Sequence, residues 1–144
     1  MDQTNSLNIY TDGGSRGNPG PSALGVYIEN DKATILDEID QYLGISTNNI
    51  AEYSAVLAGL NWIVSHKHEM PNLKKVNFYM DSQLAFSQLN GLYKIKNAKL
   101  RELLFEAKQK EAEIRLPVFY SHVPREENKK ADALVNKALD NVSL

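Results

Sequence analysis

The sequence contains no cysteine, which removes disulfide frameworks and thiolate metal sites and suits a reducing cytosol. Any metal must therefore be held by oxygen or imidazole. No apolar run approaches the roughly 18 residues that a membrane-spanning helix needs. Met1-Asp2-Gln3-Thr4-Asn5-Ser6 also lacks the basic start and apolar stretch of an export signal. The expectation is a soluble, cytoplasmic chain. Positive charge is not in excess either: 16 Lys and Arg stand against 18 Asp and Glu, for a net charge of −2. That argues against nucleic-acid binding by bulk electrostatics.

What is present is ordinary globular composition, 42% hydrophobic and 24% charged over 144 residues, so residues 1–144 are expected to form one domain with a substantial core. Repeats, linkers and low-complexity segments are absent. The basic residues cluster, with Lys94, Lys96, Lys99 and Arg101 in one stretch and Arg125, Lys129 and Lys130 in another. Each stretch reads either as phosphate contacts or as solvated helix surface.

Leu7 to Asp12 alternates apolar and polar as a strand does, and Gly13 to Pro21 is too rich in Gly and Pro for regular structure. Ala23 to Glu29 and about Ala33 to Leu43 are further strands, parted by a tight turn at Asn30-Asp31-Lys32. Thr47-Asn48-Asn49 offers N-cap chemistry, and the apolar spacing from Ile50 to Val64 predicts a helix of about four turns, ended before Pro71. Val76 to Asp81 returns to alternation. A short helix from Gln83 to Leu89 stops at Asn90-Gly91, and an amphipathic helix covers Ala98 to Ala112. Leu116 to Ser121 is the fifth strand, and Ala131, Leu134, Val135, Ala138 and Leu139 mark a last helix. Three antiparallel strands followed by alternating helices and strands make an α/β fold, a mixed five-stranded sheet with helices on both faces.

The strands that begin at Leu7 and Val76 share a pattern, apolar at the first and third positions and aspartate at the sixth. Laid parallel in matching register, they would bring Asp12 and Asp81 out together at their carboxyl ends, where such sheets bind ligands. Each aspartate alone is also a turn former. Glu52 and Asp132 lie early in helices, where a carboxylate can simply complement the helix dipole. Gathered together, such carboxylates repel one another and are tolerable mainly with divalent cations; all-oxygen ligation favours Mg²⁺ or Mn²⁺. Two such ions would suit phosphodiester cleavage, one activating water and the other stabilising the leaving oxygen.

Four motifs in order, Tyr10-Thr11-Asp12-Gly13-Gly14-Ser15-Arg16-Gly17-Asn18-Pro19-Gly20, Thr47-Asn48-Asn49-Ile50-Ala51-Glu52, Asp81-Ser82-Gln83 and His122-Val123-Pro124-Arg125-Glu126-Glu127-Asn128 with Ala131-Asp132, span nearly the whole chain. Together they resemble the type 1 ribonucleases H. The resemblance implies a ribonuclease H-like fold and a metal-dependent endonuclease, a hydrolase that cuts the RNA strand of RNA–DNA hybrids to leave 5′-phosphate and 3′-hydroxyl ends. It implies that Asp12 bridges two Mg²⁺ ions, that Asp132 completes the site of the ion activating water, and that Glu52 and Asp81 complete the other. Asn18, Asn48, Asn49 and Gln83 match residues that contact the hybrid's minor groove, where the 2′-hydroxyl marks RNA. Thr47 matches a residue that holds a DNA-strand phosphate, alongside its reading as a helix cap. His122 matches a histidine on a mobile loop that assists proton transfer or product release.

The chain departs from many bacterial members, which insert a basic, tryptophan-bearing protrusion after the short helix. Here Leu89-Asn90-Gly91-Leu92-Tyr93-Lys94-Ile95-Lys96-Asn97 crosses directly. This resembles the members without the protrusion, leaving Lys94, Lys96 and the stretch to Arg101 as the substitute grip. It also leaves open a preference for Mn²⁺ and cleavage of double-stranded RNA or RNA–DNA junctions. Trp62 is read as core, and His66 and His68 as surface. A noncatalytic hybrid-binding module is the reading from another class, against which the intact carboxylate set counts. A monomer is the default, since no oligomerisation seam is evident.

Overall fold

The computed structural model describes residues 3–91 and 94–142. Its strands and helices run β1 (Ser6–Ser15), β2 (Gly20–Asn30), β3 (Ile35–Ser46), α1 (Asn48–His66), β4 (Lys75–Met80), α2 (Gln83–Leu89), α3 (Ala98–Ile114), β5 (Val118–His122) and α4 (Lys129–Val142). Leu92 and Tyr93, in the middle of the expected direct crossing, lie outside the described residues, as do Met1 and Asp2 of the N-terminal reading.

The five strands form one mixed sheet in the order β3-β2-β1-β4-β5. β1 pairs antiparallel with β2 and parallel with β4, and β4 pairs parallel with β5. In the β1–β4 ladder Leu7 lies opposite Val76 and Tyr10 opposite Tyr79, the same 69-residue offset that separates Asp12 from Asp81. The matching register expected from the two strand patterns is therefore the register of the fold.

Side chains alternate across the sheet as the pleat demands. Leu7, Ile9, Leu24, Val26, Ile28, Val76, Phe78 and Met80 pack into the main core with Tyr53, Val56, Leu60 and Ile63 of α1 and Leu100, Leu103 and Ala107 of α3. A far smaller cluster on the other face joins Ala23 to Val135, Ala138 and Leu139 of α4. Burying one such side chain contributes about 1.5–3 kcal/mol, so α4 is held by much less apolar burial than α1. Trp62 is core, its indole N–H donating to Asp37 at 2.8 Å. His66 is half-buried rather than a surface residue, because its ring stacks on Trp62 at 4.2 Å between centroids. Among the described residues no helix is long and apolar enough to cross a membrane.

Several boundaries differ from the sequence-based expectation. The Gly-rich segment after Asp12 is not a loop throughout: the β1–β2 ladder continues through Gly13, Gly14 and Ser15, leaving only residues 16–19 between the strands. Asp12 is thus inside β1, just beyond the last β1–β4 pair, and not at the strand's end. Glycine is required at 13 because a Cβ there would lie 2.2 Å from the carbonyl carbon of Ala51 and 2.3 Å from the Glu52 nitrogen. It permits α1 to rest on the strand. β3 starts at Ile35, not Ala33, because the turn extends through Ala33 at φ 60°, with Asn30 Oδ1 accepting from the Lys32 and Thr34 amides. α3 runs to Ile114 and ends on Arg115 in the left-handed conformation, and β5 begins at Val118 rather than Leu116.

Candidate active site

Three elements bring three carboxylates together. Asp12 stands on β1, Asp81 follows β4, and Glu52 lies in the opening turns of α1, brought against β1 at Gly13. Ligand oxygens of all three lie within 4.8 Å of one another. Asp12 is 7% exposed and Glu52 9%. Asp132, in the first turn of α4, is exposed and borders the same cleft, about 420 Å³ in volume. Asn136 Nδ2 lies 3.4 Å from its carboxylate.

Electrostatics follow from this crowding. Burial, then the charges of Asp81 and Asp132 and a hydrogen bond with Asp132, push the Asp12 carboxyl from its ordinary 3.8 up to about 7, while the Gly13 amide pulls the other way. Glu52 is raised well above its ordinary value by burial first, then by Asp12 and Asp81. No ion pair among the described residues involves Asp12, Glu52 or Asp81. Buried carboxylates without a cationic partner are costly. Hard oxygen donors that repel each other at this spacing fit a divalent cation, which removes that cost.

The remaining candidates distribute around the cleft. Thr47 caps α1, its hydroxyl accepting from the Ile50 amide at 3.2 Å. Asn48 and Asn49 line the cleft. Asn48 Oδ1 accepts from the Ser15 amide at 2.9 Å, and its own amide donates to Asn18 Oδ1 at 3.0 Å. Thr47 is the cap and the two asparagines are spared that task, as their excess over one cap suggests. Gln83 is exposed at the start of α2, next to Ser82, which lines the cleft. His122 is the exposed last residue of β5, with its ring 6.0 Å from that of Phe86; it does not line the cleft. Lys94 and Lys96 are exposed between α2 and α3 and do not line it either.

Sequence reasoning assigns no role to Asn128, which is 1% exposed. Its Nδ2 donates to the Thr11 carbonyl at 2.9 Å and lies 3.4 Å from Asp81 Oδ2, tying the start of α4 to β1 and to Asp81. An asparagine just before a helix reads as a cap, so its signal is hidden in a commonplace. Arg125, from the second basic stretch, lines the cleft, and so does Arg16, to which sequence reasoning assigns no role.

A family model described as reverse transcriptase-like matches residues 10–138. Ribonuclease HI of Halobacterium salinarum is 36% identical over 143 residues, covering 96% of this chain and 67% of that protein. The crystal structure of RNase H1 from that archaeon superposes with a TM-score of 0.86 at 34% identity, covering 95% of this chain and 99% of the other.

The chain belongs to the type 1 ribonuclease H family.

Another type 1 ribonuclease H, LC11-RNase H1 isolated from compost, matches with a TM-score of 0.89 at 39% identity over 95% of this chain and 97% of its own. It has also been solved in complex with an RNA/DNA hybrid. The bifunctional protein Rv2228c of Mycobacterium tuberculosis is 38% identical over 92% of this chain, and the chain spans only 35% of that protein's length.

Proposed function

We propose that this type 1 ribonuclease H hydrolyses the RNA strand of RNA–DNA hybrids, leaving 5′-phosphate and 3′-hydroxyl ends, with residues 1–144 acting as one cytoplasmic, monomeric unit. The observation that carries the reading is the convergence of Asp12, Glu52 and Asp81 within 4.8 Å without a cationic partner among the described residues. The solved LC11-RNase H1 complex with a hybrid, 40% identical over 94% of this chain, supports the substrate.

Asp12, Glu52, Asp81 and Asp132 would hold two Mg²⁺ ions, with Mn²⁺ able to substitute. When bound, the ions supply Lewis acidity, easing deprotonation of the attacking water and stabilising charge on the leaving oxygen. The chain's own residues supply position. Asp12 and Glu52 are held rigid by burial, and Asn128 orients Asp81. Asn18, Asn48 and Ser15 form one hydrogen-bonded rim, and this rim presents amides to a minor groove and its 2′-hydroxyls together with Asn49, which lines the cleft, and Gln83. Thr47 holds a DNA-strand phosphate. His122, from the edge of β5, assists proton transfer or product release. Nothing but residues 90–97 separates α2 from α3, which supports assignment to the members without a basic protrusion, with Lys94 and Lys96 as substitute grip.

The test is cleavage of labelled hybrid, double-stranded RNA, single-stranded RNA and DNA duplex, each in Mg²⁺, Mn²⁺ or EDTA. Metal-dependent cleavage of the hybrid's RNA strand, lost in Asp12→Asn, is expected. Hybrid cleavage that survives EDTA or Asp12→Asn would overturn the mechanism. Binding without cleavage under every metal condition would leave a noncatalytic module.

A further inference from the structure

Arg16 closes one end of the carboxylate cleft. Its backbone is fixed: the Arg16 amide donates to the Pro21 carbonyl at 2.8 Å, Ser15 donates to Asn48, and Asn18 accepts from Asn48. On its side chain, Nη2 pairs with Asp140 Oδ1 at 2.6 Å in the last turns of α4, and the two side chains are 41% and 67% exposed. An ion pair so exposed is screened by solvent. A nucleic-acid phosphate offers the same guanidinium a bidentate partner with more charge, and Asp140, already in water, loses little on release.

We propose that Arg16 is a phosphate-binding residue for the nucleic-acid backbone, held at the rim of the cleft by Asp140 and exchanged from it when substrate arrives. The inference rests on the hybrid-cleaving function. A rigid backbone beneath an exposed guanidinium places a cation in the same cleft as Asn48 and Asn49. There it anchors the strand that the asparagines read. Asp140 acts as a competitor, setting how much affinity Arg16 contributes.

The experiment measures binding of a fluorescein-labelled RNA–DNA hybrid by anisotropy at about 50 to 200 mM salt. All variants carry Asp12→Asn to block cleavage. Arg16→Gln is expected to weaken binding roughly threefold to tenfold and to lower the salt-dependence slope by about one, the loss of one phosphate contact. Arg16→Lys keeps the slope and covers the case in which Arg16→Gln fails to fold. Asp140→Asn tightens binding by about twofold to fivefold, and the gain disappears in the Arg16→Gln background. Unchanged affinity and slope in a folded Arg16→Gln overturn the proposal. So does an Asp140→Asn gain that persists without Arg16, since it reports only the removal of a negative charge. Cleavage of hybrid by the wild type is assayed in parallel. An inactive wild type overturns the underlying function, whereas with an active wild type the binding data bear on Arg16 alone.

Discussion

Gly25 stands opposite Asp12 in the β1–β2 ladder, and its missing side chain lets α4 lie against the sheet at that point. A Cβ on Gly25 would lie 2.3 Å from the Ala131 carbonyl oxygen and 2.9 Å from Leu134 Cβ. Backbone must move to admit it, and Asp132 is the next residue along. Gly25→Ala is therefore expected to cost about 1–3 kcal/mol and to lower kcat on the hybrid on the order of 10- to 100-fold, because a displacement near 1 Å is that damaging. Gly14→Ala is the stability control, since its Cβ would meet only Val135 Cγ1 at 3.6 Å. Urea melts and steady-state kinetics check both; equal stability losses in the two variants would contradict this role for Gly25.

Asp12 links stability to pH. Its carboxyl is raised from 3.8 to about 7, so the fold disfavours the charged form. The stability this group contributes is complete below about pH 4 and is lost as pH rises through about 7. Without metal, Asp12→Asn should therefore be more stable than the wild type at pH 8, by on the order of 1 to 3 kcal/mol, and no more stable near pH 4. Saturating Mg²⁺ should reverse the ranking at pH 8 by binding only the wild type tightly. Chemical denaturation in EDTA and in Mg²⁺ checks this. A wild type more stable than Asp12→Asn in EDTA at pH 8 would refute it.

Asn128 is buried with its amide between the Thr11 carbonyl and Asp81. Removing that donor strands a buried acceptor, a loss of about 1–3 kcal/mol. Asn128→Ala should also weaken Mg²⁺ binding, since Asp81 loses the group that orients it. Calorimetric titration of the folded variant measures that effect apart from stability. Unchanged Mg²⁺ affinity would confine Asn128 to a structural role.

The unequal cores predict unequal protection. α4 rests on Ala23 through Val135, Ala138 and Leu139, whereas α1 is enclosed by the main core. Amide exchange should show α4 opening at a lower free energy than α1 and β4. Leu139→Ala should widen the gap by about 2 kcal/mol or more. Uniform protection across these elements would sink the idea.

The part of the site most legible in sequence is the Asp12 and Asp81 pair, because two strands of equal pattern in parallel register need no distant information to align. The Thr47 cap is legible for the same reason, since it acts on an amide three residues away, whereas sequence reasoning does not assign the caps at Ser82 and Asn97. Gly13 to Ser15 misleads because composition does not distinguish glycine that turns the chain from glycine that admits a helix. Ala33 reads as strand because its positive φ is imposed by the Asn30 turn. Asn128 and the Arg16–Asp140 pair connect residues 117 and 124 positions apart, respectively, and no local pattern encodes such distances.

Residues 90–97 join α2 to α3, while Asp12, Glu52, Asp81 and Asp132 all stand on other segments. Chain added or removed between Leu89 and Ala98 therefore leaves the segments that carry the carboxylates unaltered. Under the proposed function, the carboxylates that cut and the lysines that grip are thus carried by separate stretches of the chain.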